Sequence, residues 1–130
     1  MTVKSCAAAV LAALFLLPCR IAAAAPDWSR AQTVTVKMID DQFVPDHLQF
    51  RAGIPYRLHF VNRGKDWHEF TAPQFVHAVT IGDPQVLTPD VAVPPGETKD
   101  LYFLASHPGH FRFWCADHDW DGMVGTIAIK

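Results

Sequence analysis

The sequence predicts an all-β protein, a Greek-key β-sandwich of seven to eight strands. Three observations carry that expectation. Apolar side chains recur every second residue rather than every third or fourth. Clusters of Gly, Pro and Asn separate the alternating runs at short, regular intervals. No stretch combines a helix-capping residue with a 3.6-residue period.

The runs follow one another along the chain. Thr33 to Ile39 places Val34, Val36 and Met38 on one face, and Tyr56 to Phe60 does the same with Tyr56, Leu58 and Phe60. Between them lies His47 to Arg51. After them come Trp67 to Thr71, Phe75 to Ile81, Val86 to Val93, Thr98 to Leu104, His110 to Cys115 and Met123 to Ile129. Within the second of these, Phe75, His77 and Val79 read as one face of a strand. Ala52-Gly53, Asn62-Arg63-Gly64, Gly82-Asp83-Pro84, Pro94-Pro95-Gly96 and His107-Pro108-Gly109 supply the turns. Short strands with turn signals at this spacing indicate two packed sheets.

The first residues read differently. Lys4 precedes an apolar run from Ala7 to Leu17, too short for a span that needs roughly 20 apolar residues. Small residues, Ala22 to Ala25, follow it. This is the pattern of a cleaved secretory signal over residues 1–24, with cleavage after Ala24 or Ala25. Pro18 before Cys19 argues against lipid attachment there. Residues 25–32 then form an N-terminal lead-in and 33–130 the domain, long enough to bury one core. The expected location is periplasmic or secreted, with no membrane span in the mature chain.

Charge narrows the partners. The 11 Lys and Arg of the whole chain fall to 9 when Lys4 and Arg20 leave, against 13 Asp and Glu, so the net charge moves from -2 to about -4. A mildly acidic domain does not suit nucleic acid. The signal also removes Cys6 and Cys19 and leaves Cys115 alone. Exported cysteines normally come in pairs, so an unpaired one requires a reason.

That reason lies in Trp114-Cys115-Ala116-Asp117-His118-Asp119-Trp120-Asp121-Gly122-Met123. Cys115 ends one strand, Met123 opens the next, and His118 sits in the connecting loop, so Cys-x2-His-x4-Met folds three donors toward a common point. His68, in Asp66-Trp67-His68-Glu69-Phe70, is the best candidate for a fourth donor held by the distant scaffold. A buried thiol acting as a small hydrophobe would account for Cys115 alone, a core histidine for His68 and core packing for Met123. Those readings leave the spacing unexplained. Two imidazoles, a thiolate and a weak thioether are the donor set of a blue-copper site; zinc fits less well, because a thioether is rarely among its ligands.

With these residues the sequence resembles the cupredoxins, in particular the plastocyanin and pseudoazurin branch. Gly109 to Cys115 is similar to the family's strand leading to the copper cysteine, and Gly122-Met123-Val124-Gly125 to its glycine-flanked axial methionine. The Pro94-Pro95-Gly96-Glu97 turn and the Asn62 to His68 segment also fall where the family places them. The resemblance implies one mononuclear type 1 copper, with His68, Cys115 and His118 equatorial and Met123 axial. It implies an electron carrier, exchanging electrons with a redox partner protein through the edge of His118, while leaving oxidation of ferrous iron open.

Two departures bear on partner and potential. Glu69 stands where the family often has asparagine, and Asp117 where this branch commonly has proline. Glu69, Asp117, Asp119 and Asp121 are either a solvated loop or a negative collar that tunes the copper and attracts a cationic partner. They also raise a second reading, a site for ferrous iron in a periplasmic uptake system, where the copper takes the iron's electron. Copper storage or delivery is a third, weakened by the scarcity of methionine. Asp117 to Gly122 matches the start of a calcium loop, but the twelfth position falls on Ala128 rather than glutamate, which excludes an EF-hand. Trp67 and Trp114, each next to a ligand, are expected on the face opposite it, and Trp120 in the loop beside His118.

Overall fold

The structure, a computed structural model, describes residues 24–82 and 90–130. The expected signal and the first part of the expected Val86 to Val93 strand lie outside these residues, apart from Ala24 and the strand's end.

Ten strands are present among the described residues: β1 (Gln32–Ile39), β2 (Gln42–Val44), β3 (His47–Phe50), β4 (Pro55–Asn62), β5 (His68–Thr71), β6 (Val79–Ile81), β7 (Asp90–Val93), β8 (Thr98–Ala105), β9 (Gly109–Trp114) and β10 (Val124–Ile129). They form two five-stranded sheets, ordered β2-β1-β4-β8-β6 and β3-β10-β9-β5-β7. Strands β1 and β4 pair parallel, as do β3 and β10, and the other pairs are antiparallel. Parallel neighbours far apart in sequence are the crossovers of a Greek-key sandwich, as the sequence predicts.

Alternation dictates the core. Val36 and Met38 of β1, Tyr56, Leu58 and Phe60 of β4, and Leu101, Phe103 and Ala105 of β8 turn inward from one sheet. Leu48, Phe50, Phe70, Val93, Phe113, Ile127 and Ile129 answer from the other. Phenylalanines join the layers, Phe60 to Phe70 and Phe43 to Phe113 each at 4.8 Å between ring centroids, and Phe70 meets Phe113 within one sheet at 5.0 Å. Each fully buried ring contributes roughly 1.5–3 kcal/mol by leaving water.

Two elements differ from expectation. Phe75 to Ile81 is not a continuous strand: Pro73–Ala78 forms a short helix, α1, and only β6 is extended. Pro73 sits in its first turn, where a missing N–H costs nothing. Phe75 turns into the core against Phe103 at 4.9 Å and Phe111 at 5.8 Å, while His77 faces solvent. The second difference is β2, three residues that fold back on β1 with Met38 opposite Phe43.

The lead-in is docked. A 3-10 turn at Trp28–Arg30, capped by Asp27, brings the Trp28 ring to 6.3 Å from Tyr102.

Candidate metal centre

The donors reach one point because the strands alternate. His68 opens β5 two residues before the inward Phe70, and Cys115 follows β9 two residues after the inward Phe113. Both therefore continue the core face past the end of the aromatic cluster. His68 is 2% exposed, and Cys115 and Met123 are fully buried.

The loop from Cys115 to Met123 is closed by its own backbone. The His118 N–H donates to the Cys115 carbonyl at 3.2 Å, the Met123 N–H to the His118 carbonyl at 3.1 Å, and the Cys115 N–H to the Met123 carbonyl at 3.0 Å. A 3-10 turn at Asp119–Asp121 carries the chain outward, and Gly122, at φ 90°, turns it back in a conformation that favours glycine. Three residues spaced x2 and x4 are thereby folded onto one another.

Donor atoms of His68, Cys115 and His118 all lie within 4.8 Å of one another. The Nδ1 of His118 is 3.4 Å from the Cys115 Sγ, close to the roughly 3.5 Å between two donors of one ion bonded at about 2 Å. The two imidazole centroids are 4.9 Å apart, with the planes at 63°. The backbone N–H of Glu69 points at the Sγ from 3.3 Å. The Nδ1 of His68 is buried with no hydrogen-bond partner. Burial, together with neighbouring His118, lowers the His68 pKa below the usual histidine range, against the opposing pull of Asp41 and Asp66. The ring is thus kept neutral, the form that binds metal. A buried ring nitrogen without a partner, beside a thiol that meets an N–H, fits a bound metal ion better than a closed hydrogen-bond network.

Residues that pattern reading passed over support this set. Asn62, fully buried at the end of β4, donates from its amide to the Asp66 and Val93 carbonyls, both at 2.8 Å, and accepts from the Gly64 N–H at 2.8 Å. It ties the loop ahead of His68 to β4 and β7. Gly64 lies against the His68 ring, so close that a β-carbon there would stand 3.0 Å from Nε2. Asp41, in the link between β1 and β2, places Oδ1 3.6 Å from the His118 Nε2. A polar cleft between that link and the loop 63–66 reaches His68.

The acids suggested by sequence do not close into a second donor cluster. Among the described residues, the group of three or more His, Cys, Asp and Glu donors that converges is His68, Cys115 and His118. Asp117, Asp119 and Asp121 are exposed. Burial first, then the negative charges of Asp117 and Asp90, raise the Glu69 pKa above the usual carboxylate range. Trp114 is half-buried; Trp67 and Trp120 are 58% and 74% exposed, with the Trp120 ring 6.4 Å from His118. Trp67 therefore lines the surface at the metal end rather than filling the core.

A Greek-key sandwich with two histidines, a cysteine and a methionine gathered at one end defines the class of mononuclear type 1 copper proteins. The chain belongs to the cupredoxin-like domain family, whose model matches residues 6–129. Solved structures share the fold. Auracyanin B aligns with a TM-score of 0.57 at 22% identity, over 78% of this chain and 90% of that one. A sodium-dithionite-reduced auracyanin from the photosynthetic bacterium Roseiflexus castenholzii aligns at 0.59 and 17%, over 77% and 98%. A multicopper oxidase from Campylobacter jejuni, described as a metallo-oxidase, aligns at 0.61 and 14%, over 81% of this chain and 31% of that one.

Proposed function

We propose that the protein is a periplasmic or secreted carrier of single electrons, in which His68, Cys115 and His118 would hold copper with the buried Met123 thioether as a weak fourth donor. The convergence of the Cys115 sulfur and two imidazoles within 4.8 Å is the observation that carries this reading. Bound copper supplies reversible one-electron exchange between its cupric and cuprous states. The chain's contribution is to keep its donors in place. His68 and Cys115 extend core strands, the loop hydrogen bonds fix His118 and Met123, and the Glu69 N–H offsets part of the thiolate charge. Little rearrangement is then needed when the charge changes.

His118 is the donor nearest solvent, its side chain 19% exposed, so electrons pass through its edge. Trp120 and Trp67 offer apolar contact around it, and Glu69, Asp117, Asp119 and Asp121 give this end a negative charge. A cationic redox protein fits that surface, and its encounter rate falls as salt is added. No helix among the described residues is long and apolar enough to cross a membrane. The secretory pattern of residues 1–24 is what favours export.

A second reading, oxidation of ferrous iron, draws on Glu69, half-buried next to His68, whose carboxyl is raised first by burial and then by the charges of Asp117 and Asp90, a cost to its anion that a bound cation relieves. Copper storage gains nothing, since Met38, outside the ligand set, is buried in the core.

Titration with cupric ion, followed by absorption, tests the proposal. An intense thiolate-to-copper band toward the red end of the visible spectrum is expected. Cys115→Ala is expected to abolish it and weaken binding. A fully loaded protein that stays colourless, with binding indifferent to Cys115→Ala, overturns the reading. Ferrous iron added to the blue form separates the two functions: bleaching slowed in Glu69→Gln and Asp117→Asn supports iron as substrate, and equal rates remove it.

A further inference from the structure

The link between β1 and β2 is two residues long, Asp40-Asp41, and both stand in the left-handed region, at φ 47° and 58°. A two-residue hairpin link needs that conformation at both positions, and glycine is the favoured second residue. Aspartate tolerates it less readily, and residues kept in sparsely populated backbone regions cluster at functional sites. Here the chain keeps a carboxylate where glycine would close the turn with less strain.

That carboxylate faces the metal centre. Oδ1 of Asp41 is 3.6 Å from the His118 Nε2, while the ring's other nitrogen, Nδ1, is 3.4 Å from the Cys115 Sγ. The imidazole is therefore held between a sulfur from its own loop and a carboxylate from a remote hairpin. At 3.6 Å the Asp41 contact is electrostatic rather than a direct hydrogen bond. A carboxylate behind a ligating histidine favours the N–H on the near nitrogen and leaves the far one bare for metal.

We propose that Asp41 is the positioning residue for His118: it favours the Nε2–H tautomer, keeps Nδ1 aimed at the copper position beside Cys115, and places a fixed negative charge at the rim where electrons leave. That charge stabilises the more positive copper state and so lowers the reduction potential. The inference rests on His118 being a copper ligand.

Asp41→Gly separates this role from folding, because glycine suits the turn. The variant is expected to unfold at the same or higher denaturant concentration than the parent, yet to bind cupric ion on the order of 10-fold more weakly, as loss of such a partner typically does. Its reduction potential is expected to rise. Asp41→Asn, which keeps an oxygen but not the charge, is expected to raise the potential with a smaller loss of affinity. Asp40→Asn, one residue away, is the control for general charge. In the copper-free protein, nitrogen-detected NMR of His118 is expected to show a larger Nδ1–H fraction in Asp41→Gly. Potential, affinity and ring tautomer in Asp41→Gly and Asp41→Asn that match the Asp40→Asn control overturn the inference. A His118→Ala protein that still binds cupric ion as tightly and stays blue overturns the ligand assignment instead.

Discussion

Gly64 is the residue whose missing side chain matters most to the centre. A β-carbon there would lie 3.0 Å from the His68 Nε2 and 3.3 Å from the Asn62 Oδ1, so one neighbour would have to yield by a few tenths of an ångström. Asn62 is held by three hydrogen bonds, whereas the His68 Nδ1 has no partner, so the ring is what moves. Gly64→Ala is therefore expected to displace His68 within the donor set and lower cupric affinity on the order of 10-fold. The cost in stability should be no more than about 1 kcal/mol, because nothing in the core is disturbed. Competition against a chelator, with the visible spectrum recorded in parallel, measures both consequences. An unchanged affinity and band position would show that the ring is not the yielding neighbour.

At the scale of elements, Asn62 joins the end of β4, the loop to His68 and the end of β7 through one side chain. Asn62→Ala would strand two carbonyl oxygens and one N–H, at a cost of about 2–4 kcal/mol. Asn62→Asp keeps the acceptor, loses both donors and should also destabilise; urea unfolding of the two variants checks the expectation. The part played by Asn62 was hidden in the sequence, since Asn62-Arg63-Gly64 reads simply as a turn and its distant partner Val93 is supplied by topology. Gly64 and Asp41 were hidden for the same reason. The spacing Cys115, His118, Met123 was legible because one short loop holds all three, and His68 because its strand context resembled the cupredoxins. Most strands were legible from alternation, while β2 was too short to show a period. In α1 a single inward side chain, Phe75, imitated a strand face, and Ala72 before it offers no capping group to read.

For the whole molecule, the sheet that carries no copper donor is braced on its outer face by charge. In the β4 and β8 pair, His59 stands opposite Asp100, and Arg57 opposite Tyr102. The Arg57 Nη2 donates to the Asp100 Oδ2 at 2.8 Å, and the His59 Nδ1 lies 2.7 Å from Oδ1. Burial works to raise the Asp100 pKa, but the bonds from Arg57 and His59 outweigh it and hold the carboxyl below the usual range. A carboxyl with a depressed folded-state pKa stabilises the fold above its unfolded value of about 3.9 and loses that contribution as pH falls toward the folded value. The Asp100 side chain is 34% exposed, so screening keeps the contribution under about 1 kcal/mol. Asp100→Asn should therefore be measurably less stable than the parent at pH 5.5, and the gap should narrow as the pH is brought to 3. Urea midpoints of the copper-free proteins at the two pH values read this directly, without interference from metal release. A gap that stays constant would mean that Asp100 braces the sheet through shape and neutral hydrogen bonds rather than through its charge.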